Sequence, residues 1–294
     1  MLSLGRKWKT GITVKYSDCE LQMISTAREL LRRLSPQAYQ YARSCWWHSR
    51  FYLPRLVASF FVRRTPKVQG FPGGHTSELV HQIRGINVVA PTEMCRVMTR
   101  HDSDKGQGWH NYTTIYSVLF GKLRDQPLRI FEVGLGTNNP KLASSMGVNG
   151  RPGASLRGWR ELFPYAFIYG ADIDRDILFE EDRIKTFYCD QLDRVAISDL
   201  WSQPVLQGGM DIIVDDGLHT FESNISFLEG SLEHLRPGGV YVIEDIFQKT
   251  IKRWHNQLET ICTKRFPDDE FALVELPNSF SDPDNNLLII RRRR

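Results

Sequence analysis

The chain has 294 residues, of which 41% are hydrophobic and 24% are charged, and its formal net charge is +4. This composition excludes collagen-like and largely disordered chains, and the length suffices for one sizeable domain with an appendage. The charge is uneven, since residues 1–70 hold 13 Lys and Arg against 3 Asp and Glu, while the remainder holds 25 against 31. An anionic partner would therefore meet this first segment or the arginines at 291–294.

Residues 1–95 are predicted to form a basic, mainly helical N-terminal extension. Apolar residues between 19 and 34 recur at helical spacing. The apolar run at 51–62 is interrupted by Pro54 and is too short to span a bilayer, which takes about 20 apolar residues. This run fits a core helix, a subunit contact or, with its flanking arginines, a helix that lies on an anionic membrane surface. The Gly- and Pro-rich stretch at 63–75 is interpreted as a linker.

The cysteines of the chain are Cys19, Cys45, Cys95, Cys189 and Cys262. Their number is odd and no two are spaced as Cys-x-x-Cys, so a zinc or disulfide framework is not expected. Reduced, mostly buried thiols are typical of a cytoplasmic protein. Because the first residues also show no secretory signal pattern, we expect a cytoplasmic location.

From about residue 126 onward, short apolar runs alternate with amphipathic helical segments, which is typical of parallel βαβ units. The predicted strands are LRIFEVG (128–134), AFIYGAD (166–172), KTFYCD (185–190), MDIIVDD (210–216) and GVYVIED (239–245). Two more apolar segments, 270–277 and 285–293, flank a turn-rich stretch and predict a hairpin at the sheet edge. We expect an α/β fold with a doubly wound, mostly parallel, Rossmann-like sheet of seven strands, one of them antiparallel in the C-terminal hairpin. Ligands of such sheets bind outside the C-terminal strand ends.

The loop after the first predicted strand reads FEVGLGTNN and opens a candidate cofactor site. Gly134 and Gly136 allow backbone amides to approach a ligand where the next helix begins. Asn139 stands where the dinucleotide fingerprint has its third glycine, which argues against NAD. Asp172, at the end of the second strand, is placed to accept hydrogen bonds from ribose hydroxyls.

Further polar side chains extend this site along the strand ends. Asp190 and Gln191 follow the third strand and are placed to hold an adenine ring. Glu132 precedes the glycine loop, and Asp215 ends the fourth strand and faces the same ligand region. A turn or a helix cap explains any one of these acids alone, but acids on successive strands form the pattern expected for S-adenosylmethionine (SAM).

A second group of acids follows the fourth and fifth strands, which we expect to be neighbours in the sheet. Asp216, Glu244 and Asp245 would converge there, and carboxylate oxygens are the ligands that Mg²⁺ prefers. Without a cation, three packed carboxylates would repel one another and raise their pKa values. The alternative for Asp216 is a cap of the helix that begins near Thr220. Beside a carboxylate cluster and a cofactor cleft, His219 is a candidate general base.

Six motifs mark the part of the chain beyond its first hundred residues: DSDKGQGWHNYTTIYSVLF, EVGLG, GASLRGWRELFPYAFIYGADID, CDQLD, DDGLH and LRPGGVYVIEDI. Together they resemble class I SAM-dependent methyltransferases, and among them the metal-dependent enzymes that O-methylate macrolide sugars and methylmannose polysaccharides. The resemblance covers about residues 100–291 and implies a methyltransferase domain over 96–294. The chain departs from this family at Leu218, where Ser is usual, and in its long loop at 137–153.

The resemblance also implies roles for individual residues. In these methyltransferases the metal is held at positions that match Asp216, Glu244 and Asp245. The base of the family matches His219. The pocket residues implied by the Asp-Lys-Gly segment are Lys105, His110 and Tyr112.

These features predict a SAM- and Mg²⁺-dependent O-methyltransferase that acts on a sugar hydroxyl of a glycoside, a polysaccharide or a glycosylated natural product. One alternative is a methyltransferase of phenolic metabolites, because Mg²⁺ enzymes of this kind also methylate catechols. The other is a non-catalytic protein of the same fold that binds anionic partners through its basic N-terminal segment. No aromatic-rich nucleic-acid module is visible, so a nucleic-acid partner is not expected. A homo-oligomer contact and a peripheral membrane contact are both open for residues 1–95.

Overall fold

The computed structural model describes most of the chain beyond residue 64. The described ranges are 65–71, 77–88, 90–106, 110–264, 266–277 and 284–293. The predicted N-terminal helices and the predicted membrane-surface run lie outside these ranges. Within the ranges, none of the helices has the length and hydropathy needed to cross a lipid bilayer.

Nine strands of the described chain form one sheet. They are β1 (Lys67–Phe71), β2 (Arg129–Val133), β3 (Phe167–Asp172), β4 (Glu180–Glu181), β5 (Ile184–Tyr188), β6 (Met210–Asp215), β7 (Leu235–Ile243), β8 (Glu270–Glu275) and β9 (Asn286–Arg291). Their order across the sheet is β1-β8-β9-β7-β6-β2-β3-β5-β4. The central strand β2 therefore lies between β6 and β3, with the chain winding outward from it on both sides.

Helices cover both faces of this sheet. The described helices are α1 (Glu78–Arg84), α2 (Glu93–Arg100), α3 (Tyr112–Phe120), α4 (Ala154–Leu162), α5 (Arg194–Trp201), α6 (Phe221–Ser231) and α7 (Ile251–Lys264). Ile130 and Phe131 are neighbours on β2, and because side chains alternate along a strand they enter opposite cores. Helices α1 to α4 bury residues such as Trp159 in the Ile130 core, whereas α5 to α7 bury residues such as Trp254 in the Phe131 core.

The predicted fold class is confirmed. Strands β2, β3, β5, β6 and β7 pair in parallel. Strand β9 runs antiparallel to both β7 and β8, which is the antiparallel strand expected in the C-terminal hairpin. All five parallel strands coincide with the apolar runs from which they were predicted.

Two strands were not predicted, so the sheet has nine rather than seven. The linker interpretation of 63–75 is wrong for Lys67–Phe71, which forms β1 and pairs antiparallel with β8. Val68 is buried and Gln69 is exposed, an alternation that Gly70 and the flanking prolines conceal in the sequence. The short β4 pairs antiparallel with β5 at the other edge. The domain boundary placed after residue 95 stays a prediction.

Two of the arginines at the end of β9 are engaged within the chain. Arg291 donates to the Gln82 side chain at 2.6 Å. Arg292 donates to the carbonyl oxygens of Leu235 and Glu233 at 2.5 and 3.0 Å. These contacts tie both guanidinium groups to neighbouring elements of the chain.

The thiols that the structure describes agree with the expectation of reduced, buried cysteines. Cys95 and Cys189 are free and buried. Burial raises the pKa of the Cys189 thiol to about 12, so the unreactive protonated form prevails at neutral pH.

The position of Val68 in the sheet can be tested by a matched pair of substitutions. We expect Val68→Asp to lower the free energy of unfolding by about 3 kcal/mol, because it places a carboxylate against the core. Gln69→Asp changes the next residue of the strand, whose side chain is exposed. This substitution should change the free energy of unfolding by less than about 0.5 kcal/mol. Urea denaturation of the two variants measures the difference. Equal effects would restore the linker interpretation of this segment.

Candidate functional site

The C-terminal ends of three neighbouring strands converge on one site. In the sheet register, Val133 of β2 is opposite Asp215 of β6, which is in turn opposite Ile243 of β7. The residues that follow these strands therefore begin at one level: the glycine loop, Asp216 and Glu244. This is the edge at which doubly wound sheets bind their ligands.

The glycine loop packs directly on the turn that carries Asp216. Gly134 has φ +96°, and a Cβ atom there would lie 1.9 Å from the Asp216 carbonyl oxygen. The Asp216 amide donates to the Val133 carbonyl oxygen at 2.9 Å, which joins the two turns. A glycine is thus required both by the backbone conformation and by the close approach.

Asp172 holds the far side of the glycine loop. Its two carboxylate oxygens accept hydrogen bonds from the amides of Leu135 at 2.7 Å and Asp174 at 2.8 Å. The side chain is mostly buried, and this burial raises its pKa. Asp172 therefore positions the loop amides as well as lining the cavity beside them.

Gln191 and Asp215 connect the ends of β5 and β6. The Gln191 amide donates to Asp215 at 2.6 Å and accepts from the Leu218 amide at 2.8 Å. Asn224 of α6 donates to the second Asp215 oxygen at 3.1 Å. Burial raises the pKa of Asp215 to about 6, against the lowering effect of the Asn224 and Gln191 donors. Asp215 is fully buried, so its part in the site is to anchor this turn.

These elements line one open cavity at the C-terminal edge of the sheet, with about 840 Å³ of space that includes open solvent. The predicted residues that line it are Gly134, Gly136, Asp172, Asp190, Gln191, Asp216, His219 and Asp245. The predicted residues that lie behind its wall are Glu132, Asp215 and Glu244.

Met146, from the long loop after β2, contributes a side chain that the sequence did not single out. Its sulfur would lie 2.1 Å from a Cβ atom placed on Gly136, which has φ +80°. The loop therefore folds back over the glycines and forms one wall of the cavity.

Asp216, His219 and Asp245 form the candidate metal centre. One ligand atom from each lies within 4.8 Å of the other two. His219 and Asp245 have φ angles of +59° and +54°, a conformation that costs non-glycine residues about 1–2 kcal/mol. Such strain is concentrated at functional sites, because the surrounding structure must hold it. Thr220, rather than Asp216, caps helix α6, so the capping alternative for Asp216 is wrong.

The imidazole of His219 faces this cluster. Its Nε2 atom lies 3.4 Å from Asp245 Oδ2, and its Nδ1 atom is buried without a hydrogen-bond partner. Burial disfavours the charged ring, but neighbouring carboxylates, Asp245 first among them, outweigh burial and raise the pKa of His219. The ring is therefore a stronger base than a free imidazole.

Glu244 points away from the cavity into the protein. One carboxylate oxygen accepts a hydrogen bond from Tyr116 of α3, and the other lies 2.5 Å from Lys105 Nζ. Lys105 also contacts Asp216. Glu244 is thus connected to Asp216 by their shared contact with Lys105, and it does not line the cavity.

Glu132 lies deeper along β2 in the same region. It is fully buried and accepts hydrogen bonds from Ser155 and, at 2.6 Å, from Trp159 Nε1. Lys105 Nζ lies 3.5 Å from it. These contacts connect Glu132 to helix α4 and to the lysine, and Glu132 does not line the cavity.

Two tyrosines of α3 hold the acid pair after β7. Tyr112 donates to Asp245 at 2.5 Å, and Tyr116 donates to Glu244. Burial raises the pKa of both phenols, which keeps them protonated as donors. The role of Tyr116 was missed, although its spacing of four residues from Tyr112 places both hydroxyls on one helix face.

The donor set of this centre fits a divalent cation. The carboxylates of Asp216 and Asp245 converge at the cavity, and the His219 ring beside them has a buried nitrogen without a partner. Glu244 lies 2.5 Å from the Lys105 ammonium, which also contacts Asp216. Oxygen ligands favour Mg²⁺ or Mn²⁺.

Comparison of the sequence with known proteins shows three instructive relatives. The chain is 34% identical over 158 residues to 8-demethyl-8-(2-methoxy-alpha-L-rhamnosyl)-tetracenomycin-C 3'-O-methyltransferase of Streptomyces olivaceus, a match of 53% of this chain and 37% of the relative. It is 32% identical over 159 residues to demethylmacrocin O-methyltransferase of Streptomyces fradiae, covering 54% and 37%. It is 32% identical over 199 residues to L-olivosyl-oleandolide 3-O-methyltransferase of Streptomyces antibioticus, covering 66% and 48%. The chain thus spans less than half the length of each relative.

The solved structures lead to the same group. The MycE methyltransferase from the mycinamycin biosynthetic pathway, in complex with Mg and SAH, matches with a TM-score of 0.53 and 25% identity. The match covers 70% of this chain and 56% of MycE. No protein-family model matches the chain. The predicted resemblance to sugar O-methyltransferases is confirmed, and the fold is that of class I, Rossmann-like methyltransferases.

The close approach of Gly134 to the Asp216 turn predicts a large loss of stability on adding a methyl group. Gly208→Ala is the matched control, because Gly208 has φ +91° but nothing within 4 Å of its Cβ position. We expect the control to lose about 1 kcal/mol of unfolding free energy and Gly134→Ala to lose about 2 kcal/mol more. Thermal unfolding of both variants measures this. Similar losses would mean that the two turns are not in contact.

Proposed function

We propose that the chain is a SAM-dependent, divalent-metal-dependent O-methyltransferase that acts on a sugar hydroxyl of a glycosylated small molecule. The observation that carries this proposal is a shared cavity, in which the glycine loop and the Asp216, His219 and Asp245 cluster line the same space. A methyl donor held by the loop would therefore meet an acceptor held at the cluster. Two of the relatives are named for rhamnosyl and olivosyl acceptors, which supports the acceptor class.

The cofactor half of the site follows from the residues around the glycine loop. The first residues of α4, Ala154 and Ser155, line the cavity beside the glycine loop, and helix N-termini bind polar ligand groups. Asp172 holds the Leu135 amide of the loop in place. Asp190 and Gln191 line the cavity at the next strand end, where an adenine and its ribose would lie. SAM supplies a methyl group on a positively charged sulfur, and the excess of carboxylates around the cavity suits that charge.

The part of the site that binds the acceptor must also remove a proton from the attacking hydroxyl. The reaction forms an oxygen–carbon bond while a sulfur–carbon bond breaks, and the hydroxyl proton must leave the attacking oxygen. A bound divalent cation supplies a lower pKa for a hydroxyl that it contacts. Asp216 and Asp245 would hold that cation at the cavity, with Glu244 behind them.

His219 is the residue that would take the proton. His219 lines the cavity, and Asp245, 3.4 Å from its Nε2 atom, would stabilise the imidazolium that forms. General-base assistance is typically worth about 10²–10⁴-fold in rate. The strained backbone of His219 is consistent with a ring held for this purpose.

Cellular context forms a separate part of the proposal. We propose a cytoplasmic enzyme with a soluble small-molecule acceptor, in which the basic N-terminal segment makes a subunit or membrane contact. Buried, free Cys95 and Cys189 support a reducing compartment.

His219→Ala tests the assignment of the base. We expect turnover of a rhamnosylated or olivosylated acceptor to fall by about 10²–10⁴-fold, while SAM binding measured by calorimetry is retained. His81→Ala, in an exposed position of α1, should leave both unchanged. Full activity of His219→Ala would remove the base assignment. A parallel panel of catechols decides the acceptor class, since methylation of catechols alone would overturn the sugar assignment.

Metal removal tests the other half of the site. EDTA should abolish turnover, and added Mg²⁺ should restore it in the wild-type protein. Asp216→Asn and Asp245→Asn should both lose this restoration, because each removes a carboxylate charge from the cluster. Asp199→Asn, an exposed position of α5, is the control. Unchanged activity in EDTA would show that the reaction needs no metal.

A further inference from the structure

Lys105 is a buried cation with three carboxylates around its ammonium group. The side chain is 1% exposed, and its Nζ atom contacts Asp216, lies 2.5 Å from Glu244 and lies 3.5 Å from Glu132. Carboxylates this close to the ammonium group stabilise its charged form.

The backbone at Lys105 and Gly106 is anchored to two helices. The Lys105 carbonyl oxygen accepts a hydrogen bond from the Thr113 amide at 3.2 Å, which joins it to helix α3. A Cβ atom on Gly106 would lie 2.9 Å from the Thr99 hydroxyl oxygen, so this turn packs tightly on α2. A lysine has four side-chain torsions, and small changes in them move the ammonium by several ångströms.

The ammonium occupies carboxylate oxygens that a divalent cation would need. Lys105 and Tyr116 together engage both oxygens of Glu244, and Lys105 also engages one oxygen of Asp216. Two cations cannot share these oxygens at full strength, because each contact satisfies the same negative charge. A divalent ion that recruits Glu244 must therefore displace the lysine from it.

We propose that Lys105 is the resident cation of this site: it holds Asp216 and Glu244 in the metal-free protein, and it withdraws toward Glu132 when a divalent cation binds. The inference rests on the proposed function for the identity of the metal site. Lys105 is thus a positioning residue, which keeps the carboxylates together before the metal arrives and makes the metal exchangeable.

Glu132 is suited to receive the withdrawn ammonium. It is fully buried on β2, is held by hydrogen bonds from Ser155 and Trp159, and does not line the cavity. Its Oε1 atom already lies 3.5 Å from Nζ, so a small movement brings the pair into direct contact. This gives a structural reason for an acid on β2 that lies outside the cavity wall.

The charges allow both cations to be present at once. The carboxylates of the region are Glu132, Asp216, Glu244 and Asp245, which carry four negative charges when ionised. Lys105 contributes one positive charge and a divalent cation two, so the filled site retains one negative charge. The lysine therefore needs only to shift within the site, and its ammonium need not leave the protein interior.

The test is the Mg²⁺ affinity of Lys105→Met and Lys105→Gln, measured by calorimetry in the absence of substrate. We expect both variants to bind Mg²⁺ about tenfold or more tightly than wild type, because the competing charge is gone. Without metal they should unfold at a lower temperature, and Mg²⁺ should raise that temperature more than in wild type. Lys122→Met, an exposed lysine, is the control and should match wild type.

Glu132→Gln provides a second variant that keeps the ammonium in place. It should weaken Mg²⁺ binding, since the lysine loses the carboxylate to which it withdraws. In the Lys105→Met background the same change should have little effect, because Glu132 acts on the metal through the lysine. An equal effect in both backgrounds would show a direct charge effect and would overturn the role of Glu132.

The outcomes separate this inference from the proposed function. Weaker or unchanged Mg²⁺ binding in both Lys105 variants would overturn the resident-cation role while leaving the metal site intact. Absence of Mg²⁺ binding in the wild-type protein, with Asp216→Asn indistinguishable from it, would overturn both. Folding of Lys105→Met only when Mg²⁺ is present would support the proposal, because one cation then replaces the other.

Discussion

The site depends on the shared register of β2, β6 and β7. Because these strands are parallel and aligned, their last residues reach one level, and the turns that follow them begin side by side. The Gly134 backbone then packs against the Asp216 carbonyl at a distance that only glycine allows. Acids 28 residues apart in sequence, Asp216 and Glu244, come within reach of a single ammonium group. A slip of one residue between β6 and β7 would separate them.

Bringing these acids together has an electrostatic cost that the rest of the structure offsets. Like charges in a weakly polar interior repel strongly, so each carboxylate needs a donor or a cation. The donors come from elements that cover the same end of the sheet: tyrosines of α3, Trp159 of α4, and Lys105 between α2 and α3. The helices on this face of the sheet therefore stabilise carboxylates in and beside the candidate metal centre. His219 and Asp245 store backbone strain at the same place.

The sequence was sufficient for the parallel strands and for the residues at their ends, because both follow from local patterns. Apolar runs of strand length mark β2, β3, β5, β6 and β7, and acids directly after such runs must lie at the ligand edge. The edge strand β1 was missed because Gly70 and nearby prolines conceal its alternation, and its pairing with β8 spans some 200 residues. The orientation of the Glu132 and Glu244 side chains could not be predicted from local sequence patterns either. It depends on Lys105, Tyr116 and Trp159, partners contributed by distant segments.

The adjacent acids Glu244 and Asp245 show how one short motif serves two purposes. Both follow β7, where neighbouring side chains point in opposite directions, and the positive φ of Asp245 turns its carboxylate toward the cavity. Tyr112 and Tyr116 lie one helical turn apart on α3, and each donates to one member of the pair. The helix therefore fixes one carboxylate at the cavity and the other beside Lys105. In the proposed function, Asp245 would bind a divalent cation at the cavity, and Glu244 would bind it only after the cation displaces Lys105.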